Sequence, residues 1–142
     1  MTMDQHLHKH LDILQSIISR MAANSASCKN YCITLVTALL ALAFGQNENT
    51  KDMLYLAFVP TTLFLFLDAY YLSLEEHFRK EYGKTVESWQ MEKLTRTDLF
   101  TVNQSAEGTW RFVDTLKAFA SYSIYPFYSA LYITVGFIIY KL

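Results

Sequence analysis

The sequence predicts an all-α integral membrane protein with three transmembrane helices. The first two form a long hairpin whose N-terminal side extends into the cytoplasm. Three observations carry this reading. Apolar residues gather in blocks at 31–45, 53–74 and 118–140, and the segments between them hold nearly all the charge. A soluble domain would instead spread its apolar residues at a period of about 2 or 3.6. Hydrophobic residues make up 52% of the 142 and charged ones only 18%, so the blocks are scarcely interrupted by charge. Neither glycine nor proline occurs from Met1 to Phe44, so nothing forces a break before the first apolar block ends.

The first helix is expected over 4–44, bent near 24–27, with its inner half cytosolic and its outer half in lipid. Its apolar part, "YCITLVTALLALAFG", is about 22 Å of helix against the ~30 Å of a bilayer core. The small residues upstream, "MAANSASCKN", can enter the interface. Those first thirty residues are polar and amphipathic, which is not the pattern of a cleaved secretory signal. The polar link "QNENTKD" suits a tight helical hairpin. The second block contains Pro60, tolerated in a span where neighbours take up the freed carbonyl, and expected to kink it. The third block is long enough to span. Its Tyr128 and Tyr132 lie too deep for an interface and are expected to face protein, where their hydroxyls find partners.

Lysine and arginine set the orientation. Lys9, Arg20 and Lys29 precede the first span. Arg79, Lys80, Lys84, Lys93, Arg96, Arg111 and Lys117 follow the second. The hairpin link has only Lys51 and the tail only Lys141. The N-terminus and the long loop therefore belong in the cytoplasm of a multi-pass inner-membrane protein. If 118–140 only lies on the surface, the count falls to two spans.

In an antiparallel pair centred near Asn49, residues whose numbers sum to about 98 lie level. Asp68 then sits beside Asn30 and near Lys29, at the inner membrane boundary, and Glu75 and Glu76 lie within a turn of Arg20. Arg20, Lys29, Asp68, Glu75 and Arg79 thus form a membrane-edge polar clamp. A charge at the bilayer centre costs on the order of 3 kcal/mol or more, and less near the interface. An ion-path or proton-relay role for Asp68 stands beside the structural one. Asp68, Tyr71, Glu75, Phe78 and Tyr82 share a helix face, Glu75 and Arg79 are an i,i+4 pair, and Gly83 is a natural stop. Leu7, Leu11, Leu14, Ile18 and Met21 form an a/d stripe, an oligomer or packing face. The small residues Ala22, Ala26, Ala38 and Ala41 also suit close helix approach.

The organisation expected is 1–82 hairpin, 83–117 cytosolic loop and helix module, and 118–142 third span. The module offers Val86, Trp89, Met91, Leu94, Leu99, Phe100, Trp110, Val113 and Leu116 as apolar contacts, with a loop at "TVNQSAEGTW". It is too small for a robust core of its own.

Two stretches carry a resemblance. Arg20, Met21, Asn24, Ser25 and Lys29, followed by Leu67, Asp68, Tyr70, Tyr71, Leu72, Phe78, Arg79 and Tyr82, resemble the R-M-x-x-N-S, L-D-x-Y-Y-L and F-R-x-x-Y pattern of a group of small uncharacterised bacterial multi-span proteins. The match covers roughly the first 82 residues. The layout is also similar to SLATT-type modules of bacterial conflict systems. That likeness implies an oligomeric, pore-forming effector in antiviral defence, acting on membrane lipid and triggered by a cytosolic defence protein or signalling molecule.

His6, His8 and His10 lack a third fixed ligand and read as solvated, with no metal site. Cys28 and Cys32 sit four apart, a spacing poorly placed for a disulfide, and read as small hydrophobes. Nucleophile–base pairs and phosphate loops are missing, so neither an enzyme nor a cofactor is expected. The net charge of −1 supplies no field for nucleic acid. The sequence leaves two function classes: a homo-oligomeric effector that perturbs or forms a pore in the bacterial inner membrane, and a non-conducting anchor that recruits a cytosolic partner.

Overall fold

The computed structural model describes residues 3–45, 50–91 and 108–141, with side chains from 114 onward in the last stretch. These residues are helical, in the order α1 (Met3–Gly45), α2 (Thr50–Leu56), α3 (Phe58–Gln90), α4 (Gly108–Phe119) and α5 (Tyr125–Lys141), and none forms a strand.

α1 runs unbroken for 43 residues, as its lack of interior glycine and proline requires. One face is buried along its whole length: Leu7, His10, Leu14, Ile18, Ser25, Cys28, Cys32, Val36 and Ala43. That stripe repeats at about 3.6 residues, the period of a straight helix. It meets α3 in antiparallel order. Ser25 reaches Asp68, while six residues later Tyr31 reaches back to Phe64. α5 also opposes α3, with Tyr128 at Phe64 and Tyr132 at Thr62. Phe58 stacks on Tyr132 with ring centroids 5.7 Å apart. α4 lies on α3 further along, where the Ser73 and Thr115 hydroxyls are 3.2 Å apart.

α1 and the α2–α3 run each contain a stretch long and apolar enough to cross a membrane. Only 22% and 28% of those stretches is buried, whereas the core helix of a soluble protein is mostly buried. α5 has 17 residues, about 26 Å of helix.

Several local expectations change. The second helix does not kink at Pro60. It breaks at Ala57, and Pro60 sits in the first turn of α3, where its missing N–H had no helical acceptor to lose. α3 does not stop at Gly83 but continues to Gln90. A mid-helix glycine costs about 1 kcal/mol. Against that, Tyr82, Val86 and Trp89 are half-buried, and the Thr85 hydroxyl donates to the Glu81 carbonyl. The third apolar block is divided. Ala118 and Phe119 end α4, and a turn over 120–124 precedes α5. Pro126 falls in α5's first turn, where proline favours starting a helix over continuing one. Helix also reaches back to Gly108, into the end of the stretch expected as loop. Leu94, Leu99 and Phe100 lie outside the described residues, as do the side chains of Trp110 and Val113. Met91 and Leu116 are exposed, at 53% and 52%.

Candidate functional site

A buried polar node forms where α1, α3 and α5 meet. Its centre is Asp68, fully buried. Ser25, two α1 turns below the apolar stretch, donates its hydroxyl to Asp68 Oδ1 at 2.5 Å. Lys29, one turn further on, places Nζ 2.5 Å from Oδ2 and donates to Ser25 Oγ at 3.3 Å. Ser25 and Lys29 share a face because they are four apart. The Lys29–Oδ2 contact is an ion pair without hydrogen-bond alignment, and Oδ2 has no other hydrogen-bond partner among the described residues. Lys29 keeps 19% of its side chain exposed, so its stem crosses the packed surface while its head reaches the carboxylate.

α5 closes the third side. Tyr128 is 2% exposed and donates its hydroxyl to the Phe64 carbonyl at 3.1 Å. The same hydroxyl neighbours the Asp68 carboxylate. It has one proton to give, and the geometry places it on the Phe64 carbonyl. Cys28 and Cys32 line the α1 side of the node, free and buried, with Thr61 beside Cys32. Thr61 itself donates to the Ala57 carbonyl at 2.8 Å. Among the described residues no group of three or more histidine, cysteine or carboxylate side chains could hold a metal ion.

The structure thus brings Lys29 and Asp68 together and leaves the other clamp residues apart from them. Glu75 pairs with Arg79 on its own helix at 2.6 Å. Arg20 is exposed and makes no ion pair among the described residues. The register differs from the expected one for a simple reason. α1 ends at Gly45 and α2 begins at Thr50, so the pair is centred between 47 and 48 rather than at Asn49. Ser25 therefore faces Asp68, and Asn30 points outward.

The expected α1 stripe is turned toward α3: Leu7, Leu14 and Ile18 are buried, and Leu11 and Met21 are half-buried. Sequence reasoning stopped that stripe at Met21. Extending the three-four rhythm through Ser25, Cys28 and Cys32 would have found the node, but small polar residues do not register as an apolar pattern. His10, expected among the solvated histidines, is instead buried on this face, where desolvation lowers its pKa. Tyr128 and Tyr132 do face protein.

No family model, curated protein or solved structure matches this chain. The likeness to SLATT-type modules rests on layout alone.

Proposed function

We propose that this chain is a three-span inner-membrane effector that oligomerises and makes the membrane permeable when its helices rearrange about the Lys29–Asp68 pair. The observation that supports it most is that ion pair. Charged groups among apolar spans are costly, and well-packed apolar residues of similar size would serve stability equally well or better. A pair retained there, on two different helices, suits an element with two packings. Ligand binding could bias those packings only through differential affinity for the two.

The tyrosines support a third span. Exposed Tyr55 and Tyr70 are fifteen residues apart, as are exposed Tyr125 and Tyr140, about 22 Å of helix in both cases. Counted along the antiparallel α3–α5 contacts, Tyr55 and Tyr140 share one level, and Tyr70 and Tyr125 the other. Between the levels the exposed large side chains are Leu56, Val59, Leu63, Phe66, Leu67, Ile133 and Phe137, and the exposed Thr62 and Thr134 hydroxyls bond back to helix carbonyls. Two tyrosine belts bracketing an apolar slab are the pattern of membrane interfaces. The basic residues favour the Tyr70–Tyr125 level as cytoplasmic, which puts Asp68 at the inner edge. The antiviral setting and its trigger come from the SLATT likeness alone.

The test is reconstitution into proteoliposomes loaded with a self-quenching dye and with potassium. Wild-type protein should release one or both at rising protein-to-lipid ratio. Asp68→Ala and Lys29→Ala should change that release at least severalfold. Normal insertion with no release under any condition would return the non-conducting anchor. Recovery of the protein in the soluble fraction without detergent would remove both readings.

A further inference from the structure

We propose that α5 is a latch on the polar node, with the Tyr128 hydroxyl as its catch, and that α4 sets the latch's position from outside the membrane. This rests on the membrane reading above and adds the regulation of the same site.

Asp68 is enclosed from three directions. Ser25 and Lys29 cover it from α1, and the α3 backbone runs beneath it. The remaining side is covered by α5 through Tyr128, whose hydroxyl bonds the Phe64 carbonyl and neighbours the carboxylate. Without α5 a carboxylate and an ammonium would face lipid or admitted water at a junction of apolar helices. The Tyr128 bond lands on a backbone carbonyl one turn before Asp68 in α3, so it ties α5 to the segment that carries the charge.

α5 is also mechanically joined to α4. The turn between them is a run of successive backbone bonds. Ala120 N donates to Lys117 O, Ser121 N to Ala118 O, Ile124 and Tyr125 N to Ser121 O, and Tyr128 N to Ile124 O. Ile124 is fully buried, and Phe119 meets Phe66 edge-on at 5.2 Å. A bonded, packed turn transmits displacement where a free linker would absorb it. α4 is pinned to α3 by the Ser73–Thr115 contact. A partner that lifts α4 off α3 would therefore draw Tyr128 away from the node.

The chain carries its own reporters. Its two cysteines, Cys28 and Cys32, both line the node and are 5% and 0% exposed. Alkylation by N-ethylmaleimide needs thiolate, which forms where water enters. The reaction joins the thiolate sulfur to the maleimide double bond, with a proton taken up from water at the neighbouring carbon. The experiment follows alkylation of the membrane-embedded full chain by mass spectrometry. Loss of one interhelical hydrogen bond should raise the rate in Tyr128→Phe roughly five- to tenfold. Tyr132→Phe also removes an α3–α5 hydrogen bond, to Thr62, but that bond is exposed and one turn from the node. The Thr62 hydroxyl keeps its bond to the Phe58 carbonyl, so the rate should stay within about twofold of wild type. Ser73→Ala, which loosens α4 without touching the node, should give a rise between the two.

Equal rates in wild type and Tyr128→Phe would overturn the latch. So would equal rises in the two tyrosine variants, because the effect would then belong to α5 docking in general. An unchanged rate in Ser73→Ala alone would overturn the control by α4. The outcome is separable from the permeability reading. Faster alkylation with no dye or potassium release keeps the latch and removes the pore. Release with unmoved alkylation does the reverse.

Discussion

The two halves of the α1–α3 pair are packed by different chemistry along one continuous face. In the N-terminal half α1 buries Leu7, Leu14 and Ile18, with Phe78 and Tyr82 half-buried on α3. Beyond Met21 the same face carries Ser25, Cys28, Cys32, Val36 and Ala43, and its partners are Asp68, Thr61 and Tyr128. On the membrane reading proposed above, the large aliphatic residues lie where water surrounds the pair, and there their burial drives association at about 25 cal/mol per Å². In lipid that driving force disappears, because an acyl chain is as good a neighbour as a leucine. Small residues and polar contacts must then hold the helices in register. On that same reading, the change of side-chain type along α1 marks the change of solvent.

The node should break most severely. Asp68→Ala leaves the Lys29 ammonium among apolar helices with only Ser25 for company, and removal of one partner of a buried pair costs about 3–5 kcal/mol. Unfolding of the detergent-solubilised chain should show a loss of that size. The paired replacement Lys29→Met with Asp68→Leu should recover most of it, as neither member is left stranded. A loss in the double variant as large as in Asp68→Ala would mean that the carboxylate matters to α1–α3 packing through something other than Lys29.

The leucine half should break next. Leu14 is 2% exposed, and Leu14→Ala removes its buried methyl groups at about 2–5 kcal/mol, depending on how far the site collapses. The contrast lies in the locality of the damage. Leu14→Ala should increase hydrogen exchange in the first twenty residues and leave alkylation of Cys28 and Cys32 near wild type. Asp68→Ala should do the opposite.

These halves were unequally legible in the sequence. The leucine stripe declares itself because apolar residues recur against a polar background, and the Lys29–Asp68 pairing follows from folding a helix back on itself. Three features did not follow. Tyr128 joins Asp68 across sixty residues, and the contact depends on where α4 ends. Pro60 reads alike in a kink and in a helix start, and only the break at Ala57 decides. Gly83 reads as a stop because its local cost is visible, whereas the packing of Tyr82, Val86 and Trp89 that outweighs it is not local.

His10 gives the leucine half a pH dependence that the node need not share. Burial lowers its pKa below the ordinary 6.5 because desolvation disfavours the charged ring. With the folded value depressed, the unfolded chain binds the proton more readily. Stability is therefore greatest above pH 6.5 and falls as the pH drops toward the folded value. Protection factors in the N-terminal half, taken against the intrinsic exchange rate at each pH, should fall between pH 7 and 5, by less than Leu14→Ala produces. His10→Gln should flatten that slope, and an unchanged slope would assign it to another group.

The smallest effect tests what sets an ion pair's worth. Lys84 and Glu81 are 2.7 Å apart, close to the 2.5 Å of Lys29 and Asp68. Distance alone would rank them together. Lys84, however, is 70% exposed and Glu81 29%, whereas the Asp68 side chain is fully buried. Water and salt screen the outer pair, and two long side chains lose freedom to make it, so Lys84→Ala should cost only about 0.2–0.5 kcal/mol. Raising the salt to 1 M shortens the Debye length to about 3 Å and should erase that difference while leaving the Asp68→Ala loss nearly whole. A salt response of equal size at both pairs would show that water reaches Asp68 freely, and the division of α1–α3 into a wet and a lipid-facing half would then have to move along α1 toward Gly45.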